Sequence, residues 1–398
     1  MIKLYTAITK EVDDPKKAVE EISEQLNFKE NMLKNTVGIV HYYYEYIETG
    51  VFEALAEALP FKMVGCVTAY VAASGGFGDA ALTITMLTSD DADFSIFSLN
   101  DLGKKSHEII SEELKNLFHE MSKKETPKVA MTFMSPLKNY SGDDLVAVAN
   151  SIEKTIPIFG TLAFYLGQDE FHEQIITNNA VSADSLVLLA IYGDVNPKFH
   201  VSTSFDFDES LDTGGVITEA DGPTLKAVNG ISAVQYLKNQ DMLTTDNAVF
   251  GSAIWAVPAI LSYPSGTKVV RAFVTIIDGT EYILATGSMD TGAKIKFSFL
   301  DGDKTLASAK KLINDLTDKK ENDVIAYSCG ARAWALGVNH SGEAKIFEET
   351  GSIFKQKYSV PLNYCVAYSG GEICPILNDE GKLVNTLHNY TLIACSFG

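Results

Sequence analysis

The feature that most constrains the fold is a pattern of apolar runs that occurs three times along the chain. Each copy consists of a strand, a helix, a second strand and a final strand, in that order. The runs are 37–44, 51–59, 61–68 and 81–87 in the first copy, 128–134, 143–155, 157–165 and 184–194 in the second, and 323–329, 343–356, 361–372 and 389–397 in the third. This repetition predicts an architecture that uses one strand–helix–strand–strand unit three times.

The connections within each copy predict the directions of its strands. In the first two copies the first and second strands are far enough apart in sequence for a crossover, so we expect them to be parallel and joined right-handed. The final strand is expected to pair antiparallel. Acidic residues after Ser141 and Ser341, at Asp143 and Glu343, mark two helix starts, because carboxylates are favoured at the positive end of the helix dipole. The predicted fold class is α/β (α+β), with mixed sheets covered by helices.

The acidic, glycine-containing stretch 205–215 lies between the second and third copies and is typical of a hinge or surface loop. We therefore predict two domains, residues 1–210 with two repeat units and residues 211–398 with the third unit. Further strands are predicted at 269–276, 281–287 and 294–302, and an amphipathic helix at 308–320.

Composition excludes several classes of function. The formal net charge is −20, and no cluster of Lys and Arg interrupts the acidity, so nucleic acid is not an expected partner. Apolar runs fall short of the about 18 residues that a membrane helix needs, and the first residues do not resemble a signal peptide, so we expect a cytoplasmic protein without membrane insertion. The five cysteines lie mostly in apolar runs without CxxC spacing, which predicts reduced thiols and no metal site. The glycine-rich run 75–79 lacks a nucleotide-binding pattern, and no cofactor is predicted.

Several short motifs occur in an order that resembles the FIST family, a two-part family with an N-terminal and a C-terminal module. The similar N-terminal segments are VGCVTA at 64–69, IFGTLAFYLGQDEF at 158–171 and LVLLAIYGDV at 186–195. The similar C-terminal segments are VNGISAVQYL at 228–237, VVRAF at 269–273, YSCGAR at 327–332, GGEICP at 370–375 and HNYT at 388–391. The resemblance implies a sensory or signal-transduction module that binds a small ligand, an amino acid or another small organic acid. It also implies that a separate signalling protein receives the signal.

Cys329 and Arg332 are the first candidate site residues. An arginine three residues from a thiol can lower the pKa of that thiol, so one hypothesis makes Cys329 the nucleophile of an acyl or amide transfer enzyme. No histidine lies in a recognisable Cys/His motif, and the alternative is a packed Cys329 with Arg332 bonded to a carbonyl or carboxylate. A third hypothesis is a scaffold that recognises another protein without a metabolite.

Arg271, Glu372 and Asn389 complete the C-terminal candidates. Arg271 lies among apolar residues and needs a carboxylate or a bound anion, so with Arg332 it would suit an organic acid. An internal ion pair, for instance with Glu372, is the alternative. Glu372 is expected at a turn, where it would receive the ammonium group of a ligand or bond nearby amides. Asn389 would hold a ligand or order the preceding turn.

Small residues at the strand ends provide the N-terminal candidates. Aligning the copies places Cys66, Thr161 and Cys365 at one position, and glycines precede the first two of them. Such residues let a backbone or a ligand approach closely. The predicted N-terminal ligand-binding residues are Gly65, Cys66, Thr68, Gly160 and Asp169.

Overall fold

The computed structural model describes residues 1–137, 139–165, 174–207, 214–243, 254–378 and 380–397. In this part of the chain the strands form three six-stranded sheets and one eight-stranded sheet. Helices cover the six-stranded sheets, so the predicted α+β class with mixed sheets is confirmed.

The three six-stranded sheets share one plan. Four strands come from one repeat unit, and a two-stranded hairpin from another unit extends the sheet. In sheet order, the first sheet is β1 (Lys3–Thr9), β6 (Leu82–Ser89), β2 (Asn35–Tyr42), β3 (Lys62–Val67), β10 (Ile175–Thr177) and β11 (Ala180–Ser182). The second is β7 (Asp93–Leu99), β12 (Leu186–Tyr192), β8 (Val129–Met134), β9 (Ile158–Leu162), β24 (Glu372–Leu377) and β25 (Leu383–His388). The third is β13 (Pro197–Thr203), β26 (Thr391–Phe397), β22 (Asp323–Cys329), β23 (Asn363–Ser369), β4 (Val71–Ala73) and β5 (Gly76–Gly78).

An eight-stranded antiparallel sheet, here called the insert, lies in sequence between β13 and the rest of the third unit. Its strands are β14 (Gly215–Asp221), β15 (Thr224–Val228), β16 (Ile231–Ser232), β17 (Ala259–Ser262), β18 (Lys268–Arg271), β19 (Phe273–Ile276), β20 (Ile283–Ala285) and β21 (Lys294–Phe297). It has its own apolar core, which includes Ile217, Leu261 and Phe273.

The described α-helices belong mostly to the three units. They are α1 (Pro15–Leu26), α2 (Phe28–Asn31), α3 (Glu45–Glu48) and α4 (Val51–Ala58) in the first unit, α5 (His107–Met121) and α6 (Gly142–Ser151) in the second, α7 (Ala233–Asn239) in the insert, and α8 (Gly302–Asp318), α9 (Gly330–Leu336) and α10 (Gly342–Tyr358) in the third. The helix start predicted after Ser141 is confirmed, and Ser141 caps α6 in a capping box with Asp144. The helix start predicted at Glu343 after Ser341 is also confirmed, since α10 begins at Gly342 with Glu343 in its first turn, although the side chain of Ser341 makes no capping hydrogen bond. Among the described helices, none has the combination of length and apolar composition that crossing a bilayer requires.

The parallel pairing predicted for the first two units is confirmed, and the third unit has the same arrangement. The first and second strands of each unit are parallel, as in β2 with β3, β8 with β9 and β22 with β23. The final strand pairs antiparallel with the first, as in β6 with β2, β12 with β8 and β26 with β22. The central strands are buried on both faces, which explains their continuous apolar sequences.

The units exchange hairpins in a closed cycle. The hairpin that follows β3 pairs with the third sheet, the one after β9 pairs with the first, and the one after β23 pairs with the second. One ring from each unit meets at the centre, where the centroid of His41 lies 5.8 Å from that of Phe133 and 5.4 Å from that of Tyr327. Phe133 and Tyr327 are 6.4 Å apart. The three units are therefore arranged around a common pseudo-threefold centre.

This arrangement corrects the sequence alignment of the copies. His41, Phe133 and Tyr327 lie opposite Cys66, Thr161 and Ala367 on the parallel neighbours. Ala367, not Cys365, is thus the third-unit equivalent of Cys66. A shift of two residues keeps every side chain on the same face of a strand, so the apolar pattern alone does not detect it.

The division at residue 210 stays a prediction. The described sheets pair strands from both sides of that position, as in β13 with β26 and β9 with β24.

Candidate functional site

A cluster of buried polar residues lies where β22 and β23 end and β24 begins. It contains four of the predicted site residues, namely Cys329, Arg332, Glu372 and Asn389. Two surface clefts lie elsewhere, one lined by residues such as Asn314, Ile353 and Tyr358 and the other by residues such as Phe94, Glu120 and Tyr192.

Glu372 is the first residue of β24 and is fully buried. The predicted turn position is therefore wrong, and the carboxyl is bonded by two hydroxyls and by the backbone of Thr391. Ser369 Oγ donates to one carboxyl oxygen at 3.2 Å, and Thr391 Oγ1 donates to the other at 2.8 Å. Burial raises the pKa of Glu372 to about 8, although the two hydroxyls and the charge of Arg332 act in the opposite direction. At neutral pH this carboxyl is mostly protonated.

Cys329 ends β22 and is 5% exposed. Burial raises the pKa of its thiol, and the nearby Glu372 raises it further, whereas Arg332 lowers it only slightly. The hypothesis that Arg332 activates this thiol is not supported, because desolvation outweighs the charge of the guanidinium. The geometry therefore favours the packed alternative over a nucleophile.

Arg332, in α9, is paired internally. Its Nη2 and Nε lie 2.6 Å and 3.0 Å from Oε1 of Glu343, and both side chains are buried. Nη2 also donates to Thr305 O at 3.1 Å and Ser308 Oγ at 3.0 Å, and Nη1 donates to Tyr390 O at 3.3 Å. Glu343, which the sequence places at a helix start, neutralises Arg332 instead of serving the helix dipole alone.

Arg271, in β18, is also paired internally, but with Asp143 rather than Glu372. Nη2 lies 2.9 Å and 3.1 Å from the two carboxylate oxygens of Asp143, and Nη1 donates to Leu387 O at 2.8 Å. Asp143 also accepts from Ser288 N at 2.6 Å. The expectation that Arg271 and Arg332 bind the carboxylate of an organic acid is not supported, because each guanidinium is already paired with a carboxylate of the chain.

Asn389 is buried in the turn between β25 and β26, where its Oδ1 accepts from Thr286 Oγ1 at 2.6 Å. It therefore orders a turn and also ties that turn to the insert. The next residue, Tyr390, has a φ of 56° and offers its carbonyl to Arg332.

The three repeat units provide an internal comparison for Glu372. Each hairpin begins with a buried residue that pairs with the next sheet: Val71 in the first unit, Ile175 in the second and Glu372 in the third. Only the third of these equivalent residues is polar. Ser369 corresponds to Thr68 and Ala163, and Thr391 corresponds to Ala81 and Ser185. Since an apolar residue fills the position twice, the fold does not require a carboxyl there, and burying one costs free energy.

The N-terminal candidates serve mainly the fold. A Cβ atom at Gly65 would overlap Val40 O, and one at Gly160 would overlap Thr132 O, so these glycines allow close approach of the neighbouring strand. Cys66 is buried, and burial raises the pKa of its thiol. Thr68 is buried with no hydrogen-bond partner for its hydroxyl in the described part of the chain. Gly160 lies in β9 beside β24, whereas Asp169 lies outside the described residues.

Sequence analysis missed three residues of the cluster, Glu343, Ser369 and Thr391, as site residues. Thr391 is the last residue of the HNYT motif and Ser369 precedes the glycines of GGEICP, so the motifs themselves were the available signal. Glu343 gave no such signal, because its position at a helix start already accounts for an acidic residue. Among the described residues, no group of three or more His, Cys, Asp or Glu side chains is arranged to hold a metal ion.

The family comparison agrees with the motifs. The model of the FIST N domain matches residues 36–231, and that of the FIST C domain matches residues 233–375. No curated protein matches the chain. FIST domains are generally associated with sensing and signal transduction. With both modules matched over most of its length, the chain belongs to the FIST family.

Proposed function

We propose that the protein is a sensory module that binds a small ligand carrying an amino group, and that Glu372 receives this group. The observation that carries the proposal is a buried carboxyl at a position where the two other units place Val71 and Ile175. An amino acid belongs to this ligand class, and we propose that the signal passes to a separate protein.

The charges around Glu372 favour an amine over an acid. Arg332 is already neutralised by Glu343 at 2.6 Å, and Arg271 by Asp143 at 2.9 Å. Glu372 instead bonds two neutral hydroxyls. An ammonium group would supply the positive charge that an ionised Glu372 needs in a buried site, so binding is expected to lower the pKa of Glu372 and release a proton.

Burial of Glu372 also bears on signalling. A ligand reaches a fully buried carboxyl only when the cluster opens, so the liganded and free states differ in conformation. A difference of this kind lets ligand binding shift a population of states, which is what a sensor requires.

The test is calorimetry and thermal shift with three sets of compounds: amino acids, primary amines without a carboxylate, and organic acids without an amine. We expect compounds with an amine to bind wild-type protein and to bind Glu372→Gln at least about tenfold more weakly, because an ionic bond is lost. Glu57→Gln, which changes an exposed acid on α4, is the matched control and should bind as wild type does. Equal binding to Glu372→Gln, or binding of amine-free acids alone, would overturn the proposal.

A further inference from the structure

Five consecutive residues, 387–391, join the insert to the cluster of buried polar residues around Glu372, to which Asn389 and Thr391 of this segment themselves belong. We call them the turn segment, since they contain the turn between β25 and β26. From the insert, Arg271 Nη1 donates to Leu387 O at 2.8 Å and Thr286 Oγ1 donates to Asn389 Oδ1 at 2.6 Å. The insert therefore holds the first half of the segment.

The Glu372 cluster holds the second half of the turn segment. Arg332 Nη1 donates to Tyr390 O at 3.3 Å, and Thr391 Oγ1 donates to Glu372 at 2.8 Å. Tyr390 lies between the two halves with a φ of 56°, a conformation that non-glycine residues adopt rarely. It is 1% exposed, so surrounding contacts hold this conformation in place.

The geometry points to the turn segment as a relay that transmits occupancy of the Glu372 cluster to the insert. The inference rests on the proposed function for the identity of the occupied site. A ligand amine bonded to Glu372 competes with Thr391 for the same carboxylate oxygen. Release of Thr391 frees Tyr390 from its left-handed conformation and displaces Asn389, two residues away, from Thr286.

Only Tyr390 separates Thr391, which contacts Glu372, from Asn389, which contacts Thr286. Each residue spans at most about 3.6 Å, so a displacement of Thr391 has only two peptide units in which to dissipate before it reaches Asn389. The insert would then respond through β19 and β20, because Thr286 directly follows β20 and its hydroxyl also bonds the backbone of Ala272, the residue before β19. Coupling of this kind is reciprocal, so loosening the insert would also change the Glu372 cluster.

The test measures this coupling in the full chain without a ligand. Glu372→Ala removes the acceptor of Thr391, and hydrogen–deuterium exchange with mass spectrometry reports on residues 273–285. We expect Glu372→Ala to increase the exchange rate of these amides about fivefold or more. Fivefold is the lower end of the coupling that is usual between two linked sites. When Glu372→Ala is combined with Thr286→Val, the exchange rate should stay close to that of Thr286→Val alone. When it is combined with Thr286→Ser, which keeps the hydroxyl, Glu372→Ala should again increase exchange as it does in the wild-type background.

Thr275→Val is the matched control, because Thr275 is an exposed threonine of β19 whose hydroxyl bonds the adjacent Ile276 O. It should leave the increment intact. If Glu372→Ala fails to fold, Glu372→Val is used with the same criterion, because it also removes the acceptor and is the residue that the first unit has at the equivalent position, Val71. The relay would be overturned if Glu372→Ala increased exchange equally in the Thr286→Val and wild-type backgrounds, or if it caused no increase in the wild-type background. Since no ligand is used, coupling without amine binding would reject only the proposed function, and amine binding without coupling would reject only the relay.

Discussion

Burial has a larger effect on the chemistry of Glu372 and Cys329 than neighbouring charge does. Arg332 lies close enough to lower the pKa of both groups, yet both pKa values are raised, because desolvation disfavours an ionised form of either group. The neutral acid and the neutral thiol thus lie side by side. Under the proposed function, a ligand's ammonium group would supply the counter-charge that an ionised Glu372 needs.

Glu372 should make the stability of the protein fall as pH rises from about 4.5 to 8. In this window the folded state keeps the proton of Glu372 and the unfolded state has lost it, since the pKa rises from 4.5 to about 8 on folding. The contribution is complete below pH 4.5 and is lost as pH passes 8, on the order of 5 kcal/mol in total. Urea unfolding at a series of pH values would show it as a difference between wild type and Glu372→Gln.

The comparison with Glu372→Gln is needed because other groups titrate in the same range, including Asp323, whose pKa burial raises to about 6. Those groups remain in both proteins, so their effects cancel in the difference. Parallel stability curves for wild type and Glu372→Gln would show that Glu372 is ionised in the folded state at neutral pH.

Cys329 should react slowly with iodoacetamide at pH 7.5 in the native protein. Its thiol is buried and its pKa is raised, so the thiolate that attacks the reagent is scarce. Peptide mapping by mass spectrometry would compare the labelling rate of Cys329 with that of Cys66. Cys66 is a suitable reference because burial alone raises the pKa of its thiol. Labelling of Cys329 tenfold faster than Cys66 would revive the transfer-enzyme hypothesis.

At the scale of elements, one ion pair holds three helices and a turn together. Arg332 of α9 bonds Glu343 of α10, Thr305 and Ser308 of α8, and the carbonyl of Tyr390. Glu343 is bonded in turn by Ser328 of β22 at 2.7 Å. Both charges are buried, so each depends on the other for compensation.

Arg332→Met should lower the free energy of unfolding by about 3–5 kcal/mol, because it leaves Glu343 buried without a counter-charge. Arg332→Met combined with Glu343→Leu should recover much of the loss, since no uncompensated charge remains. Urea unfolding measures both. Lys16→Met, which removes an exposed ion pair to Glu20 at 3.9 Å, is the control and should leave the midpoint unchanged. A double variant as unstable as the single one would contradict this account.

The helices and strands were largely predictable from the sequence, whereas the residues and strands that pair with one another over long distances in the chain were not. The strand 323–329 is observed with the predicted bounds, and the helix predicted at 51–59 is α4, because local periodicity determines both. The edge strands β1, β7 and β13 were not included in the repeat, and β7 and β13 are only half-buried, which weakens their pattern. The pairing of Arg271 with Asp143 joins residues 128 positions apart, and nothing in the local sequence of either indicates the other.

At the scale of the whole molecule, hairpin exchange makes each unit incomplete alone. The second sheet needs β24 and β25 from the third unit, and the third sheet needs β4 and β5 from the first. β13, which precedes residue 210, pairs along its whole length with β26 near the other end of the chain. Removal of any unit would expose unpaired strand edges, which promote aggregation.

Residues 1–210 expressed alone should therefore fail to give a cooperative, monomeric fold. The fragment lacks β24 beside β9, β23 beside β4, and β26 beside β13, so three apolar edges lose their hydrogen-bond partners. Circular dichroism melting and size-exclusion chromatography would show a broad transition and association. Co-expression with residues 211–398 should restore a sharp melt, and a full chain cut at an engineered protease site after residue 210 should stay assembled through the same pairings. A monomeric fragment 1–210 that melts as sharply as the full chain would instead establish the two modules as independent domains, and would assign the observed exchange of hairpins to docking after each had folded.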